Sequence, residues 1–121
     1  MNQLMIVDDA LIMRMKIREI ATKAGWTVVA EASNGEDAVK LFDELHPDLV
    51  TMDMVMPGMD GLTALRTIRG SHPHANVVMV SAVNQKDKLR ECIQLGAVDF
   101  VVKPFDPVGL QSFFEHYRRD E

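Results

Sequence analysis

Short uninterrupted apolar runs alternate along this chain with longer segments whose apolar residues return at helical spacing. The runs are Leu4 to Val7, Thr27 to Ala30, Leu49 to Met52, Val77 to Val80 and Phe100 to Val102. Each has strand length, most are rich in valine, and none shows the apolar–polar alternation of a half-exposed strand, so they predict five parallel strands covered on both faces. After the first run, Met13, Ile17, Ile20, Ala21 and Ala24 fall on one side of a helix, with Arg14, Lys16, Arg18 and Lys23 largely on the other. The pattern returns in Ala38, Leu41, Phe42 and Leu45, in Leu62, Leu65 and Ile68, in Leu89, Cys92 and Ile93, and in Leu110, Phe113, Phe114 and Tyr117.

Local punctuation fits these elements. Asn34, Asp60, Asn84 and Asp106 stand where a side chain can cap a helix start, and Pro107 suits a first helical position, where its missing N–H costs nothing. Gly25, Gly70 and Gly96 stand where helices are expected to stop. Regular β-α alternation implies right-handed crossovers and a doubly wound α/β sheet with helices on both faces.

Composition narrows the reading. The 121 residues suffice for one domain, and 47% hydrophobic with 26% charged residues is the balance of a chain that buries a core. A net charge of -5 argues against general affinity for nucleic acid, which requires a basic face. The single cysteine, Cys92, lies in an apolar pattern and suits a buried thiol in a reducing compartment. The apolar run before Asp8 is too short for a signal peptide or a membrane span, so a cytoplasmic location is expected.

In such sheets ligands bind beyond the carboxyl ends of the strands. The first strand ends at Asp8-Asp9, the third at Asp53, the fourth at Ser81 and the fifth at Lys103. Three carboxylates at neighbouring strand ends repel one another, so they either raise a pKa or hold a cation between them. An all-oxygen donor set without His or Cys selects a hard cation such as Mg²⁺. A lysine and a serine on the same edge could hold a dianionic group arriving with the metal, which together are the parts of a phosphoryl-transfer site with a carboxylate nucleophile. Taken singly, each residue has a plainer reading as a cap, a turn or solvated surface; their convergence on one edge favours the site.

The ordered set Val7-Asp8-Asp9, Asp53-Met54-Val55-Met56-Pro57-Gly58-Met59-Asp60-Gly61, Ser81-Ala82 and Lys103-Pro104-Phe105 spans essentially the whole chain. It resembles the response-regulator receiver domains, and most of all their single-domain chemotaxis type. The resemblance implies one receiver domain over residues 1–121, a flavodoxin-like five-stranded parallel sheet of order 2-1-3-4-5 with five helices, and a cis peptide before Pro104. It makes Asp53 the phosphoacceptor. Asp9, Asp53 and the backbone carbonyl of Val55 would ligate Mg²⁺ (or Mn²⁺), with Asp8 acting through water. Lys103 would pair with the acceptor carboxylate, Ser81 and the Ala82 amide would hold phosphoryl oxygens, and Ser81 with Phe100 would form the switch.

By the same resemblance the chain is a switched binding module and not a turnover enzyme. Its partners would be a sensor histidine kinase and a downstream protein, with a flagellar motor switch as one candidate and neither nucleic acid nor membrane. The basic Lys86, Lys88 and Arg90 with the aromatic Phe113, Phe114 and Tyr117 are a candidate output face. A phosphatase of the haloacid dehalogenase type would need a second aspartate where Val55 stands, and a flavodoxin-type electron carrier a hydroxyl- and glycine-rich loop in place of Asp8-Asp9-Ala10-Leu11. The closer alternative is a receiver detached from a larger DNA-binding or enzymatic regulator. The segment after Phe105 does not resemble the helix through which winged-helix regulators dimerise, which favours a monomer. By the resemblance, Val55 and Val83, two residues after Asp53 and Ser81, flank the path of the hydrolytic water, where a polar side chain could help orient it; both are apolar, so slow self-dephosphorylation is expected.

Overall fold

A computed structural model describes residues 2–83 and 85–119. Its elements alternate throughout: β1 (Gln3–Val7), α1 (Leu11–Lys23), β2 (Thr27–Ala32), α2 (Gly35–Leu45), β3 (Leu49–Met52), α3 (Gly61–Ser71), β4 (Val77–Ser81), α4 (Lys86–Gln94), β5 (Asp99–Val102) and α5 (Pro107–Tyr117). The strands form one parallel sheet in the order β2-β1-β3-β4-β5. This is the doubly wound, flavodoxin-like fold expected from the sequence.

Because side chains alternate across a strand, each buried strand feeds two cores. Met5, Val7, Val50, Met52, Val77 and Met79 point to one face, where Phe42 of α2, Leu65 and Ile68 of α3 and Cys92 of α4 cover them. Leu4, Ile6, Leu49, Val78 and Val80 point to the other, under Ile17 and Ala21 of α1 and Leu110 and Phe114 of α5. That two-sided demand is why the strand sequences read as continuous apolar runs. Trp26 fastens the second core, its indole N–H donating to the Phe114 carbonyl at 2.8 Å.

The caps divide into two groups. Asn34 and Asp60 accept the N–H groups of Asp37 and Thr63, both at 2.8 Å, and Asp106 accepts those of Val108 and Gly109 with Pro107 opening α5. The cap expected of Asn84 lies outside the described residues. Gly25 and Gly96 adopt left-handed conformations, with φ of 94° and 102°, at the ends of α1 and α4. Gly70 does not end its helix: α3 continues to Ser71, and the His72 N–H still donates to the Ile68 carbonyl. Its α-carbon faces open space, so the helix keeps it at only the ordinary entropic cost of glycine. Nor do all the periodic apolar residues turn inward: Leu45 and Ile93 are exposed, because the buried stripes of α2 and α4 are narrower than the sequence period suggests.

Candidate active site

Strand order brings the chemistry together. With β1 beside β3 and Val7 opposite Met52, the residues that follow each strand become neighbours. The Asp53 N–H donates to the Val7 carbonyl at 2.9 Å, the Asp8 N–H to the Ala32 carbonyl at 3.0 Å, and the Lys103 N–H to the Ser81 carbonyl at 2.9 Å. Hydrogen bonding of the ladder type thus continues past the strand ends and fixes the backbone on which the site stands.

Carboxylate oxygens of Asp8, Asp9 and Asp53 all lie within 4.8 Å of one another. Asp8 and Asp53 are buried and Asp9 is exposed, so the cluster opens on one side. Lys103 Nζ lies 2.6 Å from Asp8 Oδ2 and 3.7 Å from Asp53 Oδ2. Pairing of Lys103 with the acceptor carboxylate was expected; its shorter contact is to Asp8, and Asp53 takes the longer one. Asp8 is further fixed by the Ala10 N–H, which donates to Oδ1 at 2.9 Å.

Burial raises the pKa of Asp53 above the ordinary carboxylate value, and the negative charge of Asp8 adds to the effect. The Lys103 ammonium and hydrogen bonds from Ser81 and the Val55 backbone oppose it without cancelling it. The donor set is all oxygen and charge-deficient by at least one cation, which fits a hard divalent ion such as Mg²⁺ held by the carboxylates.

Ser81 is buried at the end of β4 with its hydroxyl toward Asp53, and Ala82 follows it at the surface. Val55 is 63% exposed, whereas Val83 packs against the first core. Phe100 on β5 is half-buried against that same core. Lys103-Pro104 is cis. The methionines around Asp53 are packing groups: Met52, Met54 and Met56 are buried and Met59 leans on them. In the expected output face, Phe114 is fully buried, and Phe113 and Tyr117 stack partly exposed with centroids 4.6 Å apart. Lys86, Lys88 and Arg90 are exposed on α4.

Sequence reasoning missed the groups that shape the Asp53–Gly61 loop. The Gly35 N–H donates to the Met59 carbonyl at 3.1 Å, and the Met59 N–H donates to Glu36 Oε1 at 3.1 Å, so the start of α2 grips the loop twice. At Gly61 a β-carbon would stand 1.8 Å from the Asp53 carbonyl oxygen. Glu36 looks like an ordinary first-turn acid, and only the partner across the fold reveals its use. Away from this edge, His72 Nε2 bonds Asp43 at 2.7 Å and packs against Phe42 and His46.

The profile of the response regulator receiver domain matches residues 4–115. The chain belongs to that family. This receiver is 51% identical over 104 residues to the chemotaxis protein CheY of Bacillus subtilis, covering 86% of this chain and 87% of that one. It is 48% identical over 106 residues to CheY of Thermotoga maritima, 88% of each. Among solved structures, a chain of the CheX–CheY–BeF₃–Mg²⁺ complex of Borrelia burgdorferi superposes with a TM-score of 0.90 at 32% identity, over 97% of this chain and 90% of the other. No helix among the described residues is long and apolar enough to cross a membrane.

Proposed function

We propose that this receiver accepts a phosphoryl group on Asp53 from the phosphohistidine of a sensor kinase and converts that modification into a changed affinity for a protein partner. A carboxylate oxygen of Asp53 attacks phosphorus, the phosphorus–nitrogen bond breaks, and the imidazole leaves with the electron pair and takes up a proton. The observation that carries the reading is the gathering of Asp8, Asp9 and Asp53 oxygens within 4.8 Å beside the Lys103 ammonium. Asp9, Asp53 and the Val55 carbonyl would hold Mg²⁺, with Asp8 acting through water; the ion supplies charge neutralisation for the incoming phosphoryl oxygens.

The chain's own groups do the remainder. Lys103 stands ready to exchange part of its contact with Asp8 for the phosphoryl group, and the Ser81 hydroxyl and Ala82 amide hold further oxygens. The Ser81 hydroxyl already faces Asp53; phosphorylation fixes it on the phosphoryl group and Phe100 packs in behind it, which carries the event to the β5 surface between α4 and α5. Chemotaxis signalling in the cytoplasm is the setting favoured by the relatives named CheY. The CheX–CheY complex supports an output by binding to a second protein; a flagellar motor switch is another candidate target. A monomeric binding module fits this reading, with residues 1–121 forming one receiver domain.

Incubation with Mg²⁺ and a small phosphodonor, followed by intact mass, tests the chemistry. One added phosphoryl group that is lost in Asp53→Asn is the expected result. No gain, or a gain retained in Asp53→Asn, rejects the assignment. NMR of the Phe100 ring with and without beryllofluoride tests the switch, since an unchanged ring removes Phe100 from it.

A further inference from the structure

Arg14 belongs, by helical period, to the polar side of α1, yet its side chain is only 15% exposed. Its guanidinium reaches back toward the carboxylate cluster. Nη1 donates to the backbone carbonyl of Asp8 at 2.6 Å, and Nε donates to Glu31 Oε1 at 2.9 Å. Glu31 stands on β2 beside β1 and is gripped on its other oxygen by the Nε and Nη2 of Arg18. Burial works against ionisation of Glu31, but the hydrogen bonds from Arg18 and Arg14 hold its carboxyl below the ordinary value. Glu31 therefore serves as a fixed anion that orients the planar fork of Arg14.

The Asp8 carbonyl belongs to the peptide that joins Asp8 to Asp9. Every other polar group of Asp8 is already committed: its N–H to Ala32, one carboxylate oxygen to Ala10 and the other to Lys103. Asp9 differs. It is exposed, and among the described residues no hydrogen bond reaches its carboxylate. With no hydrogen bond on its carboxylate, Asp9 is placed through its backbone, and Arg14 holds the oxygen of the peptide that leads into it.

We infer that Arg14 is a positioning residue for the cation site: by clamping the Asp8–Asp9 peptide, with Glu31 as its brace, it aims the Asp9 carboxylate at the oxygens of Asp53. The inference rests on the reading of Asp8, Asp9 and Asp53 as a Mg²⁺ site. A charge effect and a positioning effect have opposite signs at this residue. A guanidinium one peptide away from three carboxylates repels a cation, so if charge alone mattered its loss would tighten Mg²⁺ binding. If it aims a ligand, its loss weakens binding even though a positive charge has gone.

Calorimetric titration of the unphosphorylated full chain with Mg²⁺ separates the two. Wild type is compared with Arg14→Gln, Arg14→Lys and, as a control, Arg18→Gln, which removes an equal charge from the network without touching Asp8. Positioning predicts that both Arg14 variants lose about ten-fold in Mg²⁺ affinity, the usual order for partners that orient metal ligands, while Arg18→Gln stays near wild type. Thermal midpoints recorded alongside separate this loss from general unfolding. Should Arg14→Gln not fold, Arg14→Lys decides alone, because it keeps the charge and loses the fork. Tighter binding in Arg14→Gln with no change in Arg14→Lys overturns the inference, as does wild-type affinity in both. A wild-type protein that binds no Mg²⁺ instead overturns the reading of the site itself.

Discussion

Asp53 is built into the fold at an energetic disadvantage, and replacing it with asparagine should make the protein more stable. The ionised carboxylate faces two others with oxygens no more than 4.8 Å away and one ammonium at 3.7 Å. The Lys103 ammonium outweighs the charge of Asp8, and the larger part of the disadvantage is burial, since an ionised carboxylate held away from water costs about 1–3 kcal/mol. Asp9 is exposed and its share is screened by solvent, so about 1–2 kcal/mol is the realistic gain for Asp53→Asn. In a chain of this size that corresponds to about 4–8 °C in thermal midpoint.

The pH dependence follows from the direction of the shift. The folded pKa of Asp53 is raised above the unfolded one, so wild type has its full stability below the unfolded pKa and loses part of it as pH rises through the folded pKa. Asparagine cannot titrate. The advantage of Asp53→Asn should therefore be absent in strong acid, open as pH rises through the folded pKa and stay constant above it. Thermal unfolding by circular dichroism across that range, without divalent cations, measures it directly. A midpoint at neutral pH no higher than wild type would refute the electrostatic account, and so would a gap that persists unchanged into acid.

Three further outcomes follow. Gly61→Ala should abolish phosphorylation and lower the thermal midpoint, because its β-carbon would collide with the Asp53 carbonyl; a variant with normal phosphorylation kinetics would show that the loop yields. Thr51 buries a hydroxyl that has no hydrogen-bond partner among the described residues, so Thr51→Val should stabilise the fold by about 1 kcal/mol in denaturant titration, whereas a loss of stability would mean that the hydroxyl has a partner in solution. Val83→Glu should speed the decay of phosphorylated protein by placing a polar group where the family resemblance puts the path of the hydrolytic water, and identical decay curves would remove Val83 from control of lifetime.

The strand ends were legible in the sequence because a parallel sheet buried on both faces writes each strand as an apolar run, and the first polar residue after the run marks the site edge. Asp8, Asp53, Ser81 and Lys103 were found that way. The strand order was not, since periodicity says nothing of which runs pair; it came from the resemblance. Arg14 and Glu31 escaped because a charged residue on a helix or at a strand end looks like solvated surface until its partner is known. The extension of β2 through Glu31 to Ala32 was missed for the same reason. Gly70 was misread because the residue that favours helix ends is also tolerated where nothing packs against it. Leu45 and Ile93 show that the period of apolar residues gives the direction of a buried face but not its width.

The separation of the two cores by the sheet has a practical corollary. The loop after Asp53 packs through Met54 and Met56 into the core of α2, α3 and α4, together with Phe100, while Trp26 lies in the other core, bonded to Phe114. The protein's single tryptophan is thus separated from the Asp53 edge's core by a sheet of hydrogen-bonded backbone. Under the proposed function, its native emission should follow global unfolding and not phosphorylation of Asp53, which calls for a probe planted on the α4 side.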